Sequence, residues 1–170
     1  MVLGEREFVR GKEFVMKRLL TATIMFGLAL LGGCGSAMEL PASFVELGSQ
    51  DDGSYGRNYV VRGVSPEGVI IALRKIDNPK NGTLEFWAKA IENELSQEGH
   101  SLVENSPVRS DAGTGGRLMT FSSVHQGEEF TYMLAIFVEG ERILVAEAGG
   151  KAVDVKKHAE DINKSLLTAK

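Results

Sequence analysis

The stretch that decides the fold is residues 117–148, RLMTFSSVHQGEEFTYMLAIFVEGERILVAEA. Two turn signals, Gln126-Gly127 and Glu139-Gly140, divide it into three segments. The middle segment alternates with period two, which gives two apolar sets of side chains: Phe130, Tyr132, Leu134, Ile136 and Val138, and Met133, Ala135 and Phe137. The stretch therefore predicts three antiparallel strands joined by hairpins, at residues 117–125, 128–138 and 142–148.

Helices are predicted before and after these three strands. Thr83 opens a segment whose apolar residues recur at i, i+3, i+4, i+7 and i+11, namely Leu84, Trp87, Ala88, Ile91 and Leu95. Gly99 is expected just past the end of this helix. The last part of the chain has similar spacing, with Val155, Ala159, Ile162 and Leu166. Each helix is therefore expected to pack an apolar stripe on the sheet, with the Trp87 ring in the core.

Two more strands precede the first helix. Residues 57–64 are predicted to place Tyr59 and Val61 on one face of the sheet. A type I turn follows at Ser65-Pro66-Glu67-Gly68. Residues 69–73 are a continuous apolar run, which is typical of a strand that is covered on both faces.

The remaining segments of the body are interpreted as loops. Residues 77–82 combine Asp, Asn, Pro and Gly, and residues 113–116 are Gly-Thr-Gly-Gly. The second segment precedes a strand, whereas a dinucleotide fingerprint opens a helix, so it is predicted to be a flexible connection between strands. The element order β-β-α-β-β-β-α predicts class α+β, an antiparallel sheet with two packed helices, in one domain over residues 43–170.

The front of the chain has the pattern of a lipoprotein signal peptide at residues 16–33. Met16-Lys17-Arg18 is a short cationic start, and residues 19–30 are an apolar run that is too short for the roughly 20 residues of a membrane-spanning helix. Leu31-Gly32-Gly33-Cys34 then matches a bacterial lipobox. Cys34 is predicted to receive a diacylglyceryl group and fatty acyl chains such as palmitate, and to become the first residue of the mature protein.

The predicted cleavage site divides the rest of the chain. Residues 1–15 are expected to be a mis-assigned upstream extension, because a signal peptide begins close to its Lys/Arg pair. Residues 34–42 are interpreted as a lipid tether, which holds the domain at the periplasmic side of the cell envelope. Gly35 stands where an Asp retains enteric lipoproteins in the inner membrane, so the outer membrane is favoured.

Charge and cysteine content exclude several classes of function. Residues 34–170 contain fourteen Lys and Arg against twenty Asp and Glu, a formal charge of −6. This argues against a nucleic-acid partner, which would need a basic patch. Cys34 is the sole cysteine, so no disulfide or thiolate metal site is expected.

The sequence assigns no catalytic residue, metal or cofactor. His100, His125 and His158 have no metal-ligand spacing, and no G-x-S-x-G motif occurs. The paired carboxylates lie at predicted hairpin tips, which are exposed to water, whereas catalytic carboxylates are usually found in clefts. A non-enzyme is therefore predicted.

Two groups of residues remain as contact candidates. Gly149, Gly150 and Lys151 are expected to lie between a strand and a helix N-terminus, where free N–H groups accept anions. Tyr55 and Tyr59 belong to or adjoin the polar, glycine-containing loop at residues 48–56 and are candidates for contact with a protein partner, with residues 50–59 as the predicted contact loop.

Taken together, these features resemble a known family. The lipobox, the Leu40-Pro41-Ala42-Ser43-Phe44 opening, a hairpin, the Trp87 helix, the three strands beginning near Gly116-Arg117 and a closing helix resemble the DcrB-like bacterial lipoproteins. Those proteins in turn are similar to the PsbP-like α/β/α sandwich, a fold named after a photosystem II extrinsic protein and shared with a eukaryotic Ran-binding import factor. The resemblance covers nearly all of residues 40–170 and implies a non-catalytic module that binds or assembles other proteins.

The expected function is that of a lipid-anchored envelope protein acting as a binding or assembly module, with an envelope protein as partner. The alternative is a lipoprotein that holds a small apolar or anionic ligand between sheet and helix. A deep, lined cavity of at least roughly 300 Å³ would favour the ligand, and a filled core would favour the protein partner.

Overall fold

The computed structural model describes residues 36–47 and 59–170. Residues 1–15, the predicted signal peptide 16–33, Cys34, Tyr55 and residues 50–58 of the predicted contact loop lie outside the described residues.

Seven strands and two helices form the described part of the chain: β1 (Val45–Glu46), β2 (Tyr59–Val64), β3 (Ile70–Asp77), α1 (Leu84–Gln97), β4 (Ser101–Arg109), β5 (Gly115–His125), β6 (Glu128–Glu139), β7 (Arg142–Lys151) and α2 (Ala152–Leu167). The strands make one sheet in the order β1-β2-β3-β7-β6-β5-β4. Every neighbouring pair is antiparallel. The predicted α+β class, with two helices on an antiparallel sheet, is confirmed.

The two helices pack on opposite faces of the sheet and give the molecule two cores. On one face α2 buries Val155, Ile162 and Leu166 against the strands. On the other, α1 packs its predicted stripe against a second cluster that includes Met119, Phe121, Leu134 and Ile136. The side chains of β6 alternate between the two cores as predicted. Met133, Ala135 and Phe137 face α2.

A buried asparagine fixes the start of α1. The Thr83 hydroxyl caps the helix by accepting from the Phe86 N–H. Asn78, 1% exposed, accepts from the Gly82 N–H at 2.8 Å and from the Trp87 indole N–H at 3.1 Å. Its side-chain amide donates to the Gly82 and Gly140 carbonyls. Asn78 therefore ties the loop before α1 to the β6–β7 turn, and Gly82 is required because a Cβ there would lie 2.5 Å from the indole nitrogen.

Strand β4 is not predicted by the sequence pattern, and β5 begins earlier than predicted. β4 forms one edge of the sheet, most of its residues are exposed, and it contains Pro107, so it lacks an apolar pattern. Gly115 and Gly116 were assigned to a loop but begin β5. At Gly116 a Cβ would come within 2.5 Å of the Ile136 carbonyl oxygen, so the strands approach closely there.

The predicted tether over residues 34–42 is wrong for its described part. Residues 36–44, called here the arm, pack along α2 rather than hanging free. Met38 is 1% exposed and belongs to the α2-side core. The Lys170 N–H donates to the Ala37 carbonyl, and the Glu39 N–H donates to Thr168 Oγ1. The packed domain therefore begins at Ser36 and not at residue 43.

Trp87 provides a test of how α1 is attached. The ring is half-buried on the apolar stripe, so Trp87→Ala is expected to lower the free energy of unfolding by about 2–4 kcal/mol, toward the low end of values for aromatic truncation. Trp87→Phe keeps most of the packing and removes one hydrogen bond, so about 1 kcal/mol is expected. Urea unfolding measures both. Equal losses for the two variants would contradict a packing role for the ring.

Candidate functional site

The two faces of the sheet are covered unequally. On the α2 side, the arm supplies Met38 and Phe44 to the core beyond the helix. On the other side α1 contacts β4, β5 and β6, and the cluster beneath it reaches Ile143 and Val145 of β7 and Ile76 of β3. Beyond this cluster the α1-side surface continues over β1, β2, the Ile70 end of β3 and the Gly149 end of β7. This surface is called here the open face. The expectation that residues 69–73 are covered on both faces is wrong at Ile70, which is 39% exposed.

An apolar row crosses the open face. Residues directly opposite one another on paired strands share a face. Val45 pairs with Val64, Val64 with Ile70, Ile70 with Gly149, and Gly149 with Tyr132. Val45 is 67% exposed at the β1 end of this row. Aliphatic side chains are thus presented to solvent next to a tyrosine ring.

A β-bulge in β2 brings Tyr59 to the same surface. Tyr59 pairs with Arg74, but Val61 pairs with Leu73, so two steps along β2 match one step along β3. The predicted shared face of Tyr59 and Val61 is therefore wrong: Val61 points into the α2-side core, whereas Tyr59 shares the open face with Arg74. The sequence carries no signal for this bulge.

A buried carboxylate organises the polar part of the site. Glu147 is 6% exposed and accepts from Arg74 Nη2 at 2.7 Å and from the Tyr132 hydroxyl at 2.6 Å. Burial acts to lower the pKa of Arg74, but the charge and hydrogen bond of Glu147 outweigh it, so the pKa is raised and the guanidinium stays charged. The Arg74 Nε–H has no acceptor among the described residues.

Glu147 and Tyr132 line an open groove of about 390 Å³. The lining residues come from β2, β3, β6 and β7: Tyr59, Arg62, Ile70, Ala72, Tyr132, Glu147, Ala148 and Gly149. The Arg62 guanidinium carbon lies 5.6 Å from the centre of the Tyr59 ring, a cation–π distance. The groove therefore combines an apolar floor with arginine and tyrosine side chains, the residue types that are enriched at protein interfaces.

The predicted anion-contact residues have a different environment from the one expected. Gly149, Gly150 and Lys151 belong to strand β7 and not to a loop before α2, and Gly149 and Gly150 pair with β6. A Cβ at Gly149 would lie 3.2 Å from the Tyr132 ring, so this glycine makes room for that ring. Lys151 forms an ion pair with Glu128 at 2.7 Å. Anion binding by these residues stays a prediction.

The histidines are more involved in packing than the sequence indicates. His158 is 13% exposed, contacts the Phe44 ring edge to face and lies 3.0 Å from Glu67. This hydrogen bond, together with others from the backbone and Ser65, lowers the pKa of Glu67 to about 2. His100 lies 6.2 Å from the Tyr132 ring, centre to centre. Among the described residues, no three His, Cys, Asp or Glu side chains are grouped to hold a metal ion.

Neither helix of the described chain is long and apolar enough to cross a membrane.

Comparison with known proteins shows the fold but no family. No family model matches the chain, and no curated protein matches it significantly. Among solved structures, LpqN of Mycobacterium tuberculosis, described as involved in cell envelope biogenesis, is 18% identical, with 76% of this chain and 78% of that chain covered and a TM-score of 0.56. Cyanobacterial PsbP (CyanoP) from Synechocystis sp. PCC 6803 is 11% identical, with 75% and 81% covered and a TM-score of 0.54. The predicted PsbP-like fold is confirmed, and the DcrB-like identity stays a prediction.

The buried carboxylate can be tested by removing it. Glu147→Ala should leave the Arg74 charge without its partner and lower the free energy of unfolding by about 2–4 kcal/mol, somewhat below the range for fully buried pairs because Arg74 is 21% exposed. Glu147→Gln keeps an acceptor for the Tyr132 hydroxyl and should cost less. Denaturant unfolding of both variants measures this, and two equal, small losses would show that the pair contributes little.

Proposed function

We propose that this chain is a lipid-anchored envelope protein that acts as a non-catalytic binding or assembly module, and that it binds an apolar segment of an envelope protein on its open face. The observation that carries the proposal is the row of exposed aliphatic side chains at Val45 and Ile70 beside the groove. Contiguous exposed apolar positions on a folded domain mark interaction surfaces.

The shape of the groove supports a protein partner over a small ligand. Between the sheet and its two helices the packing is close, since residues such as Ile71, Leu134 and Ile162 are at most 1% exposed. A pocket between α1 and the sheet measures about 110 Å³, well below the roughly 300 Å³ of a typical small-ligand site. The groove of about 390 Å³ instead lies open on the sheet surface, with Ile70 39% exposed in its lining. A small ligand is held by burying most of its surface, which an open groove does poorly.

Sequence and comparisons support the location. The lipobox at Leu31-Gly32-Gly33-Cys34 would place the domain outside the cytoplasmic membrane, anchored through acyl chains on Cys34. LpqN, with a similar fold, is described as involved in cell envelope biogenesis. Tyr59, the described member of the predicted partner contacts, lines the groove.

Cross-linking in living cells tests the open face. A photoreactive benzoylphenylalanine at Ile70 should capture a specific envelope protein, whereas the same residue at Val153, an exposed apolar position on α2, should not. A lysine placed at Val45 should then reduce the Ile70 cross-link, because a charge at the end of the apolar row opposes binding.

Unchanged capture after Val45→Lys, or the same protein captured from Val153, would contradict the open face as the binding surface. A small molecule that accompanies the purified protein in native mass spectrometry and is lost on Ile70→Lys would instead favour the ligand alternative. Melting curves of the variants serve as folding controls, since both positions are exposed and should tolerate substitution.

The anchor is tested separately. Cys34→Ala removes the only thiol of the chain and should abolish acylation and leave the unprocessed precursor in the inner membrane. Metabolic labelling with a fatty-acid analogue, followed by membrane fractionation, measures both effects. Label that persists on the variant would overturn the lipobox interpretation.

A further inference from the structure

The arm is held by the domain almost from its first described residue. The Lys170 N–H donates to the Ala37 carbonyl at 3.0 Å, and the Glu39 N–H donates to Thr168 Oγ1 at 2.8 Å. Between these two residues the Met38 side chain is buried in the α2-side core. From Ala37 onward, therefore, the chain adds nothing to the length of a tether.

Chain length alone then limits how far the domain can lie from the lipid. Only Gly35 and Ser36 separate Cys34 from Ala37. Three residue steps span at most about 11 Å in any conformation. Acyl chains on Cys34 would consequently hold the Ala37 end of the domain close to the membrane surface.

Ala37 lies at one end of the sheet, called here the anchor pole. The pole is formed by the end of α2, the turn at residues 110–114 and the turn at residues 139–141. The Asp111 N–H donates to the Leu167 carbonyl at 2.9 Å, and Thr114 Oγ1 donates to Glu139 at 2.8 Å. These contacts make the pole one connected surface next to Ala37.

The length of the sheet exceeds the reach of the tether. Strand β6 runs from Glu128 at the far end to Glu139 at the anchor pole, a distance of about 36 Å at 3.3 Å per residue. We propose that the anchor pole is a membrane-facing surface that lies against phospholipid headgroups, with the far end of the sheet pointing away. This orientation rests on the proposed lipidation of Cys34.

The open face would then stay accessible. Tyr132, in the groove lining, lies seven residues from Glu139 along β6, or about 23 Å from the anchor pole. A domain held by its pole presents this groove sideways and away from the lipid, where an envelope protein can reach it.

Fluorescence quenching by labelled lipids tests the orientation. Because acylation consumes the Cys34 thiol, an added cysteine is the single reactive thiol of the mature protein. Asp111→Cys at the pole, Glu129→Cys at the far end and Lys156→Cys on the outer side of α2 are all at exposed positions. Each is lipidated in cells, labelled with a bimane dye and placed in phosphatidylethanolamine/phosphatidylglycerol vesicles with or without nitroxide-headgroup lipid.

The dye at Asp111→Cys should lose most of its fluorescence, the dye at Glu129→Cys should keep nearly all, and Lys156→Cys should fall between. Equal quenching at the three positions, or strongest quenching at Glu129→Cys or Lys156→Cys, would overturn the orientation while leaving the anchor intact. Mass spectrometry is done first: protein without a diacylglyceryl group refutes the lipid anchor, and the orientation with it.

A spacer variant tests whether the tether is the cause. About 20 Gly and Ser residues between Gly35 and Ser36 would add a flexible segment with a root-mean-square length near 25 Å. The difference between Asp111→Cys and Glu129→Cys should then largely disappear. A difference that survives the spacer would overturn the short tether as its origin.

Discussion

The structure depends on one geometric constraint: a seven-stranded sheet is much wider than a helix. Strands about 4.8 Å apart give this sheet a width of about 29 Å, whereas a helix with its side chains is about 10–12 Å wide. Each of α1 and α2 can therefore cover only part of its face. On the α2 face the arm covers much of the remainder with Met38 and Phe44. On the α1 face the cluster under the helix reaches Val145 and Ile76, and β1, β2 and the Ile70 end of β3 lie beyond it.

This unequal cover explains where the buried and exposed residues lie. β6 lies under both helices, and five consecutive residues, 133–137, are buried. The Ile70 end of β3 lies under the α2-side core on one face and beyond the α1-side cluster on the other, so Ile71 is fully buried while its neighbour Ile70 is 39% exposed. The apolar run at residues 69–73 thus forms a strand as predicted, but the side chain of Ile70, on the open face, is exposed to solvent. Such a run without a covering element is where a partner segment is expected.

Periodicity in the sequence was sufficient for the parts of the fold that bury regular stripes. Strands β5–β7, both helices and the class all follow from spacing, because β6 alternates between two cores and each helix packs one side. Periodicity did not predict the elements whose contacts do not repeat along the chain. β4 is an exposed edge, and the arm is held largely by single contacts such as Met38.

The candidate site was the least predictable part for a related reason. Tyr59 reaches the open face through a bulge, and the Asn78 contacts depend on a polar side chain that in sequence resembles any turn residue. Glu147 interrupts an otherwise apolar strand, and its partner Arg74 is 73 residues away along the chain. Contacts over such separations leave no local pattern, so the sequence indicated a tyrosine candidate without the groove that it lines.

The buried ion pair shows how an uncovered sheet face can remain compatible with water. An all-aliphatic open face would invite non-specific association, whereas Glu147, held by Arg74 and the Tyr132 hydroxyl, breaks the apolar surface into a row and a polar cluster. Buried pairs of this kind contribute little net stability compared with apolar residues of similar size, and their better attested effect is to fix one arrangement of neighbours. Here they fix the Tyr132 ring over Gly149, and so determine the shape of the groove in which the apolar row ends. The pair of Glu147 and Arg74, which contributes little net stability, thus gives the open face a defined form.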